Sequence, residues 1–308
     1  MSDVLKSTEK DIIKENILTN FVLAEVNLEK LPYFAPDKKK RFEENRLTYI
    51  YKKDLLVDSK VIKIEWKVSA HQEYGGFPNS FDRDVYRCIQ RLITERGISQ
   101  DGFVTFSTYE IIEMLNRKKS GKNYEDVKKS IYKMMTTTIQ SYGAFYYKKE
   151  KNWIKETFQL FDTFIEKGKM LPDGSLAETN YLKLGGWLLK SIQANYVKPV
   201  DFQYYMDLKL PTAKALYSKL SVDFYGLPND IGYLKKKYSD LTKEMILTYQ
   251  KYPSYAKREL DKVFKILIDK KFLTKVEYES IEDKKGDFYI KFYPGEKAYL
   301  PENIKYID

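Results

Sequence analysis

One order of elements occurs twice along this chain, and a doubled order of short elements restricts the fold to two small domains of the same design. In the first copy, Val85, Cys88, Ile89, Leu92 and Ile93 stand at i, i+3, i+4, i+7 and i+8 within residues 82–96, so they share one face of a helix that Gly97 ends. Phe103-Val104-Thr105-Phe106 alternates as a short strand. Ser107 and Glu110 then have the S-x-x-E spacing in which each side chain caps the other's backbone N–H at a helix start. After the basic turn at 117–122, Asn123 is the expected cap of a third helix, with Tyr124, Val127, Ile131 and Met134 on one side. The segments 142–147 and 153–165 read as strands of a hairpin turned by Lys148-Lys149-Glu150-Lys151-Asn152.

The second copy begins with Pro211, placed where a first helical turn tolerates it, before Ala213, Leu216, Tyr217 and Leu220. Residues 230–238 and 241–249 are expected as short helices. From Ser254, the positions Leu260, Val263, Phe264, Leu267 and Ile268 mark a long helix face, and 275–281 with 287–293 form a second hairpin. Helix, strand, helix, helix and hairpin is the order of a winged helix, whose third helix enters the DNA major groove. The expected fold is therefore α+β, two tandem winged-helix domains. The expected boundaries are an arm at 1–48, a first domain at 49–167, a linker at 168–179 around Pro172-Asp173-Gly174, and a second domain at 180–308.

A formal charge of +10 over 308 residues favours a polyanionic partner. Cys88 and His71 are the single cysteine and histidine, which excludes disulfide frameworks, Cys/His zinc sites, Cys/His dyads and the His-x-His metal pair of rolling-circle nucleases. Ser120-Gly121-Lys122-Asn123 lacks the first glycine and the hydroxyl of a phosphate-binding loop. Glu43-Glu44 and the pair Asp82 and Asp84 read as caps or solvated charge. No enzyme activity, metal or cofactor is expected. No apolar stretch approaches a membrane span and the N-terminus lacks an apolar signal core, so a cytoplasmic location and no membrane partner are expected.

In the second domain the face opposite the apolar stripe carries Lys257, Arg258, Asp261, Lys262 and Lys265, with Ser254 and Tyr255 at the helix start. Arginine can address guanine in bidentate fashion, so Arg258 is the expected base reader; Ser254 and Tyr255 are expected on phosphate, and Lys284 and Lys285 at the hairpin tip on the neighbouring backbone. In the first domain Lys118, Lys119, Lys122, Asn123, Lys128, Lys129 and Lys133 lie near or on the third helix. They fit phosphate contacts; a first domain that chiefly dimerises would leave them merely solvated. The 27 tyrosines invite base stacking, but their spacing is mostly that of packed faces and strands.

Leu31-Pro32-Tyr33-Phe34, Gly76-Phe77-Pro78 with Asp82-Arg83-Asp84-Val85, and Thr136-Thr137-Thr138-Ile139 resemble the plasmid replication initiator protein A family. So do residues 213–220, Ala-Lys-Ala-Leu-Tyr-Ser-Lys-Leu, and 252–260, Tyr-Pro-Ser-Tyr-Ala-Lys-Arg-Glu-Leu. The likeness runs over roughly residues 30–295. It implies binding of repeated origin sites in double-stranded DNA, local duplex opening, recruitment of host replication proteins such as a helicase or initiator, a homodimer through the first domain, and repression of the protein's own promoter. A winged-helix transcription regulator shares every physical feature above. The positive charge by itself would also suit a metal-dependent nucleic-acid enzyme or a non-catalytic scaffold.

Overall fold

In the computed structural model the described residues are 20–36, 47–57, 60–227, 231–282 and 286–299. The basic quartet Lys38-Lys39-Lys40-Arg41 and the tip lysines Lys284 and Lys285 lie outside them. In chain order come β1 (Phe21–Glu25), α1 (Val26–Lys30), β2 (Thr48–Val57), β3 (Lys60–Ser69), α2 (Ser80–Arg96), β4 (Phe103–Phe106), α3 (Thr108–Met114) and α4 (Gly121–Thr136). Next are β5 (Thr138–Tyr147), β6 (Asn152–Phe158), β7 (Phe161–Ile165), β8 (Asn180–Leu184) and α5 (Gly186–Gln193). The remainder is β9 (Val197–Asp201), α6 (Phe202–Asp207), α7 (Pro211–Asp223), β10 (Leu234–Lys237), α8 (Tyr238–Glu244), α9 (Pro253–Asp269), β11 (Leu273–Ser280) and β12 (Phe288–Pro294).

The three helices of the first domain start and stop as their end residues dictate. Asn79 caps α2 by accepting from Phe81 N at 2.9 Å, while Asp82 accepts from Asn79 N at 2.8 Å. Val85, Cys88, Ile89 and Leu92 face inward and are at most 1% exposed, and the three aliphatic side chains each contribute roughly 1.5–3 kcal/mol by burial. The expected capping box of α3 is present: Ser107 Oγ accepts from Glu110 N at 3.2 Å, and Glu110 accepts from Ser107 N at 2.7 Å. α4 departs from expectation by one turn. Its cap is Ser120, which accepts from Asn123 N, so Asn123 lies inside the helix.

The hairpin assignment also changes. β5 and β6 do pair, with Tyr142 opposite Lys155, but they join β2 and β3 in a four-stranded sheet of order β2-β3-β5-β6. The expected strand 153–165 breaks at Gln159-Leu160, because the Leu160 carbonyl accepts from Gly185 N at 2.8 Å instead of continuing the β5 ladder. Beyond the break, β7 pairs with β8 and β8 with β4, giving the order β4-β8-β7. The wing of this domain is therefore β7–β8, and residues 168–179, expected as an interdomain linker, lie within the wing. The chain divides later. One compact unit is Glu25–Val197 with Thr242–Thr248; the other holds residues 20–24, Lys198–Leu241 and the described residues from Tyr249 on.

The second domain repeats the design with the sheet order β10-β12-β11, the first, third and second strands of the same motif. Residues 234–237, expected as helix, form β10 instead. Three consecutive lysines sit in this strand because each meets a carboxylate: Lys235 pairs with Glu279, Lys236 Nζ lies 2.8 Å from Asp223, and Lys237 Nζ lies 3.2 Å from Asp287. Their backbone is then available to the ladder with β12. Leu260, Val263, Phe264 and Leu267 of α9 face the core, where Phe264 packs edge-on against Phe292 at 5.5 Å between ring centroids. Phe272, 1% exposed, fills the space between Tyr217 and Phe224.

Candidate nucleic-acid interface

α9 is built to present one polar side. Pro253 occupies its first turn, where the missing N–H is not needed. With the apolar stripe turned inward, Ser254, Tyr255, Arg258, Asp261, Lys262 and Lys265 are all exposed and Lys257 is half-buried. The Arg258 guanidinium stacks over the Tyr255 ring at 5.0 Å, and Tyr255 in turn meets Tyr252 edge-on at 6.0 Å. This arrangement holds the arginine near the N-terminal half of the helix while its nitrogens remain open.

Lys257 Nζ lies over the Tyr278 ring at 4.6 Å and the Phe288 ring at 5.2 Å, so it leans on the hairpin instead of pointing straight out. Asp261 accepts from Tyr278 OH at 2.7 Å. Burial first, and this hydrogen bond second, push the Tyr278 hydroxyl well above the ordinary phenol range. Asp261 thus ties helix to wing. Lys265 lies 3.5 Å from Asp269. Among the described residues, Arg258 and Lys262 have no ion pair.

The first domain holds part of its charge in internal pairs. Lys128 of α4 is held 2.6 Å from Glu166 and 3.5 Å from Glu125. Lys119 pairs with Glu113 at 3.2 Å and bonds Tyr109 OH. Asn123 donates to the Lys118 carbonyl at 2.7 Å and accepts from Arg117 at 3.3 Å, which fixes the turn before α4. Arg117, which opens the basic turn, stacks over Phe81 at 4.3 Å. Lys118, Lys122 and Lys129 are exposed. Lys133, expected near the outer side, is buried instead, with its Nζ 2.9 Å from Asp82, a partner 51 residues away. The third helices therefore share a feature: Lys122 and Lys129 of α4, like Arg258 and Lys262 of α9, are exposed cations that pair with no carboxylate among the described residues, while Lys128 and Lys133 of α4 are engaged within the domain.

Cys88 is buried and His71 exposed. Tyr33, Tyr51, Tyr86, Tyr205, Tyr217 and Tyr238 belong to the core. No group of three or more His, Cys, Asp or Glu side chains converges on a metal position among the described residues. None of the described helices is long and apolar enough to cross a membrane.

Two helical triads, each followed by a hairpin whose second strand pairs with the strand between the first two helices, define a tandem winged-helix protein of the α+β class. The crystal structure of domain 2 and domain 3 of RctB has the same fold, with a TM-score of 0.51 at 10% identity over 85% of this chain and 94% of that one. A second solved structure, the Pi initiator protein in complex with iteron DNA, aligns with a TM-score of 0.49 at 15% identity over 70% of this chain and 91% of that one. No curated protein matches the sequence. The family model for replication initiator protein A matches residues 25–220, more than half of the chain, and the protein belongs to that family.

Proposed function

We propose that this initiator binds repeated origin sites in duplex DNA, laying α9 of the second domain in the major groove, and that it opens the origin and recruits host replication proteins without chemistry of its own. The observation that carries this reading is the outer side of α9, where Arg258 and Lys262 stand exposed with no ion pair among the described residues. A cationic helix face of this kind exchanges hydration for phosphate and base-edge contacts at little cost in internal bonds. Arg258, braced by Tyr255, reads a guanine; Lys262, Ser254 and Tyr255 hold phosphates.

The outer face of the β2-β3-β5-β6 sheet supports a homodimer through the first domain. Ile50, Tyr142 and Trp153 are about half exposed there, at 49%, 48% and 49%. Sheet faces bearing such aromatics are suited to pairing between copies.

The test is selection of bound duplexes from random sequence by the full chain. A single enriched motif that recurs as direct repeats beside the gene is the expected result. Arg258→Ala is expected to cost about 1–3 kcal/mol on that motif and to relax one base position. Equal losses on selected and random duplexes would remove Arg258 from base reading. A selected site found only at promoters would favour a transcription regulator.

A further inference from the structure

The wing of the first domain carries an unexpected tip. Met170 and Leu176 face each other across an isolated antiparallel bridge, and at 72% and 65% exposure they are the most exposed large apolar side chains among the described residues. The tip that holds them is closely bonded. Gly168 N donates to the Ala177 carbonyl at 2.7 Å, Ala177 N to Lys169 at 2.8 Å, Leu171 N to Ser175 at 2.8 Å and Gly174 N to Leu171 at 3.0 Å. Asp173 accepts from Ser175 N at 3.0 Å and from Ser175 Oγ at 2.7 Å, which closes the apex. A chain that only spanned two domains would need none of these bonds, and covering two water-exposed apolar side chains on such a ribbon lowers the free energy.

We infer that this tip is a wedge for duplex DNA: Met170 and Leu176 enter the minor groove and part a base step of the bound duplex. The inference rests on the reading of the protein as an origin binder. Methionine and leucine are among the side chains that unstack base steps from the minor groove, kinking the duplex toward the major groove. The tip is joined to the third helix of its own domain, since Glu166 at the wing base accepts from Tyr132 OH at 2.9 Å and meets Lys128 at 2.6 Å. Lys167 and Lys169, both exposed, precede the apolar pair along the ribbon and suit the phosphates that border a groove. Asp173 at the apex and the exposed Glu178 beyond Leu176 balance Lys167 and Lys169, which argues against a wing that works by charge alone; an apolar wedge draws on stacked bases and tolerates carboxylates at its margin. Parting one step also supplies what an initiator needs, a weakened point from which the duplex opens.

The probe is a duplex selected by the wild-type protein from random sequence, with 2-aminopurine placed at each adenine in turn. Wild type is expected to raise the fluorescence severalfold at one or two adjacent positions. M170S/L176S, altered only at exposed side chains and checked by an unchanged melting temperature, is expected to bind the same duplex yet lose that rise, and M170L/L176M to keep it. A double serine variant that binds with the full fluorescence rise, or a wild type that binds without any rise, overturns the wedge while leaving origin binding intact. The first of those results would assign the tip to a protein partner. Failure of the wild type to select any duplex overturns the origin-binding reading itself, and the wedge with it.

Discussion

Gly185 and Gly295 hold the same place in two different wings. Each donates its N–H to the carbonyl of the residue before the wing's first strand, Gly185 to Leu160 at 2.8 Å and Gly295 to Phe272 at 2.9 Å. A Cβ on Gly185 would lie 2.2 Å from the Gln159 oxygen, and one on Gly295 would lie 2.4 Å from the Lys271 oxygen, the carbonyl one position earlier in both cases. The wings are thus closed by one device, used once in each domain.

Alanine at either glycine must push backbone aside, since the obstructing atom is a main-chain oxygen. G185A and G295A are each expected to lose about 1–3 kcal/mol of stability, the usual cost of overfilling a close-packed site. Urea melts of the full chain measure this, and a variant as stable as wild type would show that the two closures are looser than the geometry implies.

Lys133 and Lys262 test the distinction between a cation that supports the fold and one left for a ligand. Lys133→Met strands the Asp82 carboxylate, 1% exposed, and is expected to cost roughly 3–5 kcal/mol in stability. It should leave the salt dependence of DNA binding unchanged. Lys262→Ala should do the reverse, reducing the slope of log affinity against log salt by about 0.9 with little change in melting temperature. Exchanged phenotypes would refute the assignment of both.

For the whole protein, contact with about six to eight phosphates gives a slope of roughly −5 to −7. Titration of the selected duplex at several salt concentrations reads it directly. A slope near zero would leave the chain's positive charge without a role in binding.

Glu25 links the stability of the first unit to pH. Burial raises its pKa from 4.5 to about 7, against the opposing hydrogen bonds from Leu28 N, Ser191 Oγ and Asn27 Nδ2. The folded state therefore holds a proton that the unfolded chain has already released, and stability falls as pH rises from about 4.5 to 7 before levelling off. At 1.36 kcal/mol per unit the full drop is on the order of 3 kcal/mol. Denaturation midpoints at pH 5, 6, 7 and 8 follow it, and E25Q should flatten that part of the profile; an identical slope in the variant would assign the effect to another group.

Much of this molecule could be read in advance wherever the signal was local. The apolar spacing of 85–93 and 260–267 placed two long helices, and Ser107 with Glu110 placed the start of a third, since the residues that decide those features lie within two turns of one another. The outward side of α9 followed from the same periodicity, because a face opposite a buried stripe is exposed unless another element covers it. The exposure of Ser254, Tyr255, Arg258, Asp261, Lys262 and Lys265 was therefore legible, while the tip lysines Lys284 and Lys285 lie outside the described residues.

Sequence alone thus settled the fold class and the existence of two similar helical triads, through periodicities that act over a few residues. Tertiary structure alone decided which hairpin is the first wing, because the choice depends on β8 reaching back to β4 across some seventy-five residues. It also decided that Lys133 faces inward, since only folding brings Asp82 to that side of α4. Charge and spacing show that a lysine lies near a helix face; whether it meets a carboxylate or water depends on what the rest of the chain packs against it.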